Sequence, residues 1–222
     1  MNSMIIKLVA ESTLQTIEMV FWSTVFSLIM GLPLGVLLHV TDREDQGGII
    51  PKPLLNEILS RIVNILRSFP FLILMIVLMP VARFILGTTI GTRAAVVSLS
   101  IAAAPFVARV IETSLKEVDP GVVQAAKAMG STNWQIIVKV MLPEALPSLV
   151  SGVTLTIINL IGYSAMAGTI GGGGLGDLAI RYGYQRFQMD VMLATVVVLI
   201  IMVQAMQSLG DYASKKLNKN KL

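Results

Sequence analysis

The 222-residue chain is 55% hydrophobic, carries charge on only 14% of its residues and has a mean hydropathy of +0.78. So few charges cannot cover the surface of a soluble domain of this length, and the absence of cysteine excludes disulfides, thiol catalysis and cysteine-ligated metals. The net charge of +4 comes from an uneven distribution of lysine and arginine along the chain, with no need for nucleic acid.

In chain order, Met19 to Leu38 is twenty residues without a charge and reads as the first membrane span. Ser12 with Gln15 reads as a capping box that opens its helix. The stretch is too long for a signal-peptide core, follows Glu11 and Glu18, and has no small-residue cleavage site. Gly31 and Gly35 form a G-x-x-x-G pair suited to close packing within the subunit. The single histidine, His39, closes this span, with no neighbour that would make it a ligand or a base. The polar interval Thr41 to Glu57 is too short for a core of its own.

Ile62 to Ala82, interrupted by Arg67, is the second span, and Ala94 to Ala108, between Arg93 and Arg109, is the third. Arginine near a helix end can carry its guanidinium to the headgroups and so lengthen a marginal span. The third segment also fits a re-entrant or protein-buried helix. Ala145 to Gly176 is a charge-free run of thirty-two residues, and Val191 to Gly210 is one of twenty. Five spans result, and an odd number puts the termini on opposite sides.

Positively charged loops stay cytoplasmic. One side collects Arg43, Lys52, Arg61, Arg67, Arg109, Lys116, Lys127, Lys139 and the four lysines of the tail up to Lys221, twelve in all, against five on the other. The amino terminus is therefore expected outside and the carboxyl terminus in the cytoplasm.

The segment between the third and fourth spans is polar, short and well punctuated. Asp119 can cap a helix that begins at Pro120, and Gly130 can end it in the left-handed conformation. Some ten residues are far too few to cross lipid. Ser131, Thr132 or Asn133 can cap a second helix over Trp134 to Met141, which Pro143 limits. An interfacial helix resting on headgroups is the plain alternative, but a surface of alanine, valine and methionine with only Gln124 and Lys127 as polar groups favours docking to another protein.

Catalytic constellations are absent. Gly171, Gly173 and Gly176 satisfy G-x-G-x-x-G but follow a membrane helix rather than a strand, so they are no dinucleotide site. Gly171 to Gly174 reads instead as an outer turn requiring positive φ. There is no G-x-x-x-x-G-K-[ST] phosphate loop, so any ATP must be held elsewhere.

The spacing Gln124-Ala125-Ala126-x-x-x-Gly130 followed by Val140-x-Leu142-Pro143 resembles the E-A-A-x-x-x-G-x(9)-I-x-L-P loop of the membrane subunits of type I ABC importers. Gln124 stands where that family has glutamate, and Val140 where it has isoleucine. Further segments, Gly31 to Leu38, Arg67 to Phe71, Ala103 to Arg109 and Gly162 to Gly168, are similar to the methionine importer permeases, the likeness running from about residue 13 to 211.

The resemblance implies an all-α membrane protein forming one polytopic domain over residues 1–222, with five transmembrane helices and a short cytoplasmic coupling helix. It implies no enzyme activity and no cofactor in this chain; ATP and Mg would be bound by a partner ATPase. The partners it implies are a second copy, two ABC ATPase subunits and an extracytoplasmic substrate-binding lipoprotein, in the bacterial cytoplasmic membrane. Gln124, Ala125, Ala126, Lys127, Gly130, Leu142 and Pro143 would form the coupling contact, with the work falling on Ala125, Ala126 and Gly130 because Gln124 cannot form the usual salt bridge.

The cargo implied is D- and L-methionine. Tyr163 and Met166 are the large side chains of a small-residue run, able to occlude a pore, and the family places the methionine matching Met166 at its gate. From the residues alone, Met166 fits a flexible core filler equally well. A permease for another amino acid or an osmolyte is the alternative. A secondary transporter is disfavoured, since no ionisable group lies deep in a span.

Overall fold

The protein, seen in a computed structural model, is described over residues 3–219. The described residues are organised in ten α-helices with short 3₁₀ and π-helical pieces, and the chain forms two compact units. The first unit comprises Met1–Ser27, Phe69–Ala104 and Leu155–Ser208; the second comprises Leu28–Ser68, Pro105–Thr154 and Leu209–Leu222. Helices α1 (Ser3–Val40), α4 (Thr92–Lys116), α8 (Leu146–Thr169) and α10 (Met189–Lys219) contribute residues to both. Among the described residues these four are long and apolar enough to cross a membrane, which satisfies every internal backbone group without water.

The second expected span differs. Ile62 to Ala82 is two helices, α2 (Pro53–Ser68) and α3 (Phe71–Leu86), and only if the pair is counted as one broken span does the number reach five. Pro70 has no amide hydrogen, and its ring drives Phe69 out of the helical region, so the ladder stops there. Arg67 therefore lies in the last turn of α2 rather than inside a span. Of the alternatives for Ala94 to Ala108, the structure gives a continuous 25-residue helix, with most of its apolar window enclosed by protein.

In the first unit, Met19, Met75, Leu99, Leu160 and Ile161 form a core, and Val9, Leu175, Leu178 and Val191 form another. The expected capping box at Ser12 does not exist, because α1 has already begun at Ser3. Gln15 has a different task. Its side-chain oxygen accepts from the Gly174 amide at 2.8 Å, and the Thr16 hydroxyl accepts from the Leu175 amide at 2.9 Å. Together they satisfy the open N-terminus of α9 (Gly174–Leu178). Gly171, Gly173 and Gly174 do take positive φ, of 88°, 80° and 77°.

In the second unit Gly35 brings α1 against α4: a Cβ there would stand 2.5 Å from the Ala108 carbonyl oxygen and 2.7 Å from the Ile111 Cβ. Gly35→Val should therefore overpack this crossing and cost about 1–3 kcal/mol. A Cβ on Gly162 meets nothing within 4 Å, so Gly162→Ala should leave the midpoint unchanged or raised. Thermal unfolding in detergent checks the pair; equal midpoints would contradict this account of Gly35.

Candidate coupling helix and translocation path

Helix α5 (Pro120–Ala128) has nine residues, too few to be stable on propensity alone, and both its ends are closed. At the start, the Asp119 carboxylate accepts from the Gly121 amide at 2.7 Å and Pro120 occupies the first turn. At the end, the Ser131 amide donates to the Ala126 carbonyl and the Gly130 amide to the Lys127 carbonyl, with Gly130 at φ 79°. That is a Schellman closure, which requires a left-handed residue at the Gly130 position. Among the three candidate caps of the next helix the structure selects Thr132, whose hydroxyl accepts from the Gln135 amide while the Gln135 side chain accepts from the Thr132 amide.

Helix α6 (Asn133–Ile136) then widens into a π-helical stretch, Ile137–Met141, that runs into α7 (Leu142–Glu144). Pro143 does not end the helical path as expected. The wide turn, in which the Leu142 amide reaches the Ile137 carbonyl, relieves the proline ring's clash with the preceding turn, and the chain continues into α8.

The burial pattern redistributes the roles expected from the sequence. Gln124, Ala125, Lys127, Gly130 and Pro143 are exposed and Leu142 is half-buried, but Ala126 is only 3% exposed. Ala126 packs with Val107, Ile111, Leu115, Ile136 and Met141 in the core of this unit. Its methyl group faces inward, so it seats the helix and is not available to a partner. Exposed instead are Met129 (79%) and Trp134 (72%), with Val122 and Val138. Val122 and Met129 belong to the alanine, valine and methionine surface expected to dock; Trp134 and Val138 were not picked out from the sequence. Trp134 and Val138 share a helical face by spacing, but the same spacing describes a core-facing stripe. Beside α5 lies a groove of about 470 Å³, lined by Val123, Gln124 and Lys127 on one side and by the Glu44–Gln46 turn and His39 on the other.

A set of charges anchors the end of α4 that leads into α5. Arg109 pairs with Glu112, whose side chain is 4% exposed, and donates to Ser60 Oγ at 2.9 Å and Asn64 Oδ1 at 3.0 Å on α2. Lys116 bridges Glu112 and Asp42, each at 3.0 Å. Burial pushes the Asp42 carboxyl up, but the Lys116 ammonium and the Arg43 amide bonded to it prevail and hold it below the usual carboxylate range.

On the path side, Met166 is 44% exposed on α8, while the Tyr163 ring is stacked on Phe71 at 3.7 Å and 9°. Met166 thus has an open face on this chain. Tyr163 is pinned, and it supports α8 from the side.

These features describe a helical membrane protein with a short, closed helix set between its long apolar ones. Residues 31–219 match the family of binding-protein-dependent transport system inner membrane components, and the chain belongs to that family. It is 52% identical to the probable D-methionine transport system permease protein MetI of Vibrio cholerae serotype O1, over 92% of this chain and 89% of that one. It is 46% identical to the protein of the same designation from Pasteurella multocida, over 97% and 98%. A solved chain of the MetNI methionine ABC transporter in an inward-facing conformation superposes with a TM-score of 0.95 at 44% identity, covering 98% of this chain and 99% of that one. The chain is an ABC transporter permease.

Because the folded Asp42 pKa is depressed, the stability it contributes is complete above the unfolded value and is lost as pH falls through the folded one. Asp42→Asn should therefore lower the unfolding midpoint at pH 7, and its gap to the wild type should close below about pH 4. A gap independent of pH would contradict the assignment.

Proposed function

We propose that this chain is the permease of a bacterial methionine importer, two copies of which enclose the path for D- and L-methionine across the cytoplasmic membrane. The observation that carries this reading is the 52% identity, over nearly the whole chain, to a protein named for D-methionine transport. The amino terminus lies outside and the basic tail in the cytoplasm, following the lysine and arginine asymmetry. Lys221, one of the tail cations in that count, lies outside the described residues.

Each copy presents α5 to an ABC ATPase subunit that holds ATP and Mg, and an external binding lipoprotein delivers the substrate. Gln124, Ala125, Lys127 and the turn at Gly130 form the contact with Met129 and Trp134, while Ala126, Leu142 and Pro143 hold its shape. A helix closed at both ends and seated on a core moves as a body, so ATPase closure is passed to α4 and α8, the helices that flank it in the chain. ATP must then interact differently with the two states of the path, and this helix carries that difference. Met166 acts as the gate, with Tyr163 supporting it.

Expressed with its ATPase and lipoprotein in cells lacking methionine importers, the chain should support ATP-dependent uptake of labelled L- and D-methionine. Uptake of another amino acid in its place would overturn the substrate. Gly130→Val should cost about 1–3 kcal/mol at the turn, since a β-branched residue opposes positive φ. It should uncouple ATPase activity from uptake; unchanged substrate-stimulated hydrolysis with normal co-purification would contradict the coupling role. Met166→Ala should raise methionine leak from proteoliposomes, and wild-type tightness would remove it from the gate.

A further inference from the structure

One face of α8 in the first unit is unlike a lipid-facing surface. Leu155, Gly162, Met166 and Thr169 are exposed on it, and helical spacing places the half-buried Asn159 on the same stripe. On α10, Gln204 is exposed and closes a cavity of about 290 Å³ whose other walls, Ile158, Gly162, Ala165 and Val203 among them, are apolar.

Neither amide has a hydrogen-bond partner among the described residues. At 1.5 Å per residue, Asn159 lies about 15 Å from the Thr169 end of α8 and about 20 Å from the Leu146 end, deep in the span. Ile158 and Gln204 line the same cavity, so the two amides share one level, about 10 Å from Met166 toward the Leu146 end. An amide without a partner is expensive to turn toward hydrocarbon. This face is therefore turned to water rather than to lipid.

We infer that Asn159 and Gln204 form an amide layer of the translocation path, which binds the charged groups of an amino-acid zwitterion once it has passed Met166, while the apolar cavity between α8 and α10 takes its side chain. The inference rests on the proposed transport function. A carboxamide donates to a carboxylate and accepts from an ammonium group, so one residue type serves both ends of the cargo. Being uncharged, it holds the zwitterion without trapping it, as passage demands. The cavity walls suit an apolar side chain better than a polar one.

The test uses the complete importer in proteoliposomes, with Asn159→Leu and Gln204→Leu. Loss of a hydrogen bond to a charged group should lower methionine uptake per ATP hydrolysed about tenfold, with subunit stoichiometry unchanged. Asn159→Ser and Gln204→Asn should recover most of it, which a purely steric role would not predict. Wild-type uptake by both leucine variants would overturn the inference. So would their separation into single permease copies, since the amides would then be bonds between copies. A wild-type importer that carries a different amino acid would tell against methionine alone, and the same variants are then read with that amino acid. One that carries none would overturn both readings.

Discussion

The inward-facing methyl group of Ala126 is the contact on which the second unit's functional surface depends. A nine-residue helix has no stability of its own in water, and α5 persists because Asp119 and the Schellman turn at Gly130 satisfy its ends while Ala126 locks it to the core. With that side seated, Gln124 and Ala125 remain exposed on α5, and Met129 and Trp134 are exposed on the turn and helix that follow. The exposed surface is thus the complement of a packing decision.

The ion pairs at the end of α4 extend the same logic. Glu112 is almost wholly enclosed and would be costly alone, but Arg109 and Lys116 hold it from both sides and tie α4 to α2 and to Asp42. The helix that leads into α5 is therefore fixed against its neighbours at that end. Under the proposed function, this would pass a displacement of α5 on to α4 rather than absorb it in the linker.

Much of this was legible in the sequence, because caps and breakers act locally. Asp119, Pro120 and Gly130 fixed the bounds of α5 to within a residue or two, and of the glycines from 171 to 174 all but Gly172 take the expected positive φ. Legibility failed where a distant partner decides. Gln15 matches a capping box by spacing, but its amide is used by Gly174, which the fold brings to it from far along the chain. Pro70 broke a stretch that composition alone joins, while Pro143 did not stop a chain that could widen into a π-helix. The inward or outward direction of Ala126 could not be read at all, since alanine suits either side equally. Trp134 was passed over for the converse reason: a large apolar side chain is ordinarily assigned to a core.

That α5 delivers this chain to an ATPase is the central claim, and the absence of cysteine makes it directly measurable. Single cysteines at Met129 and Trp134, with Thr169→Cys as an exposed control, can be probed by short bifunctional crosslinkers in the assembled importer. Crosslinks to the ATPase subunit should form from both α5–α6 positions and not from the control, and their yield should change when ATP is bound. Absence of crosslinks at Met129 and Trp134 in an importer that still transports would contradict the account.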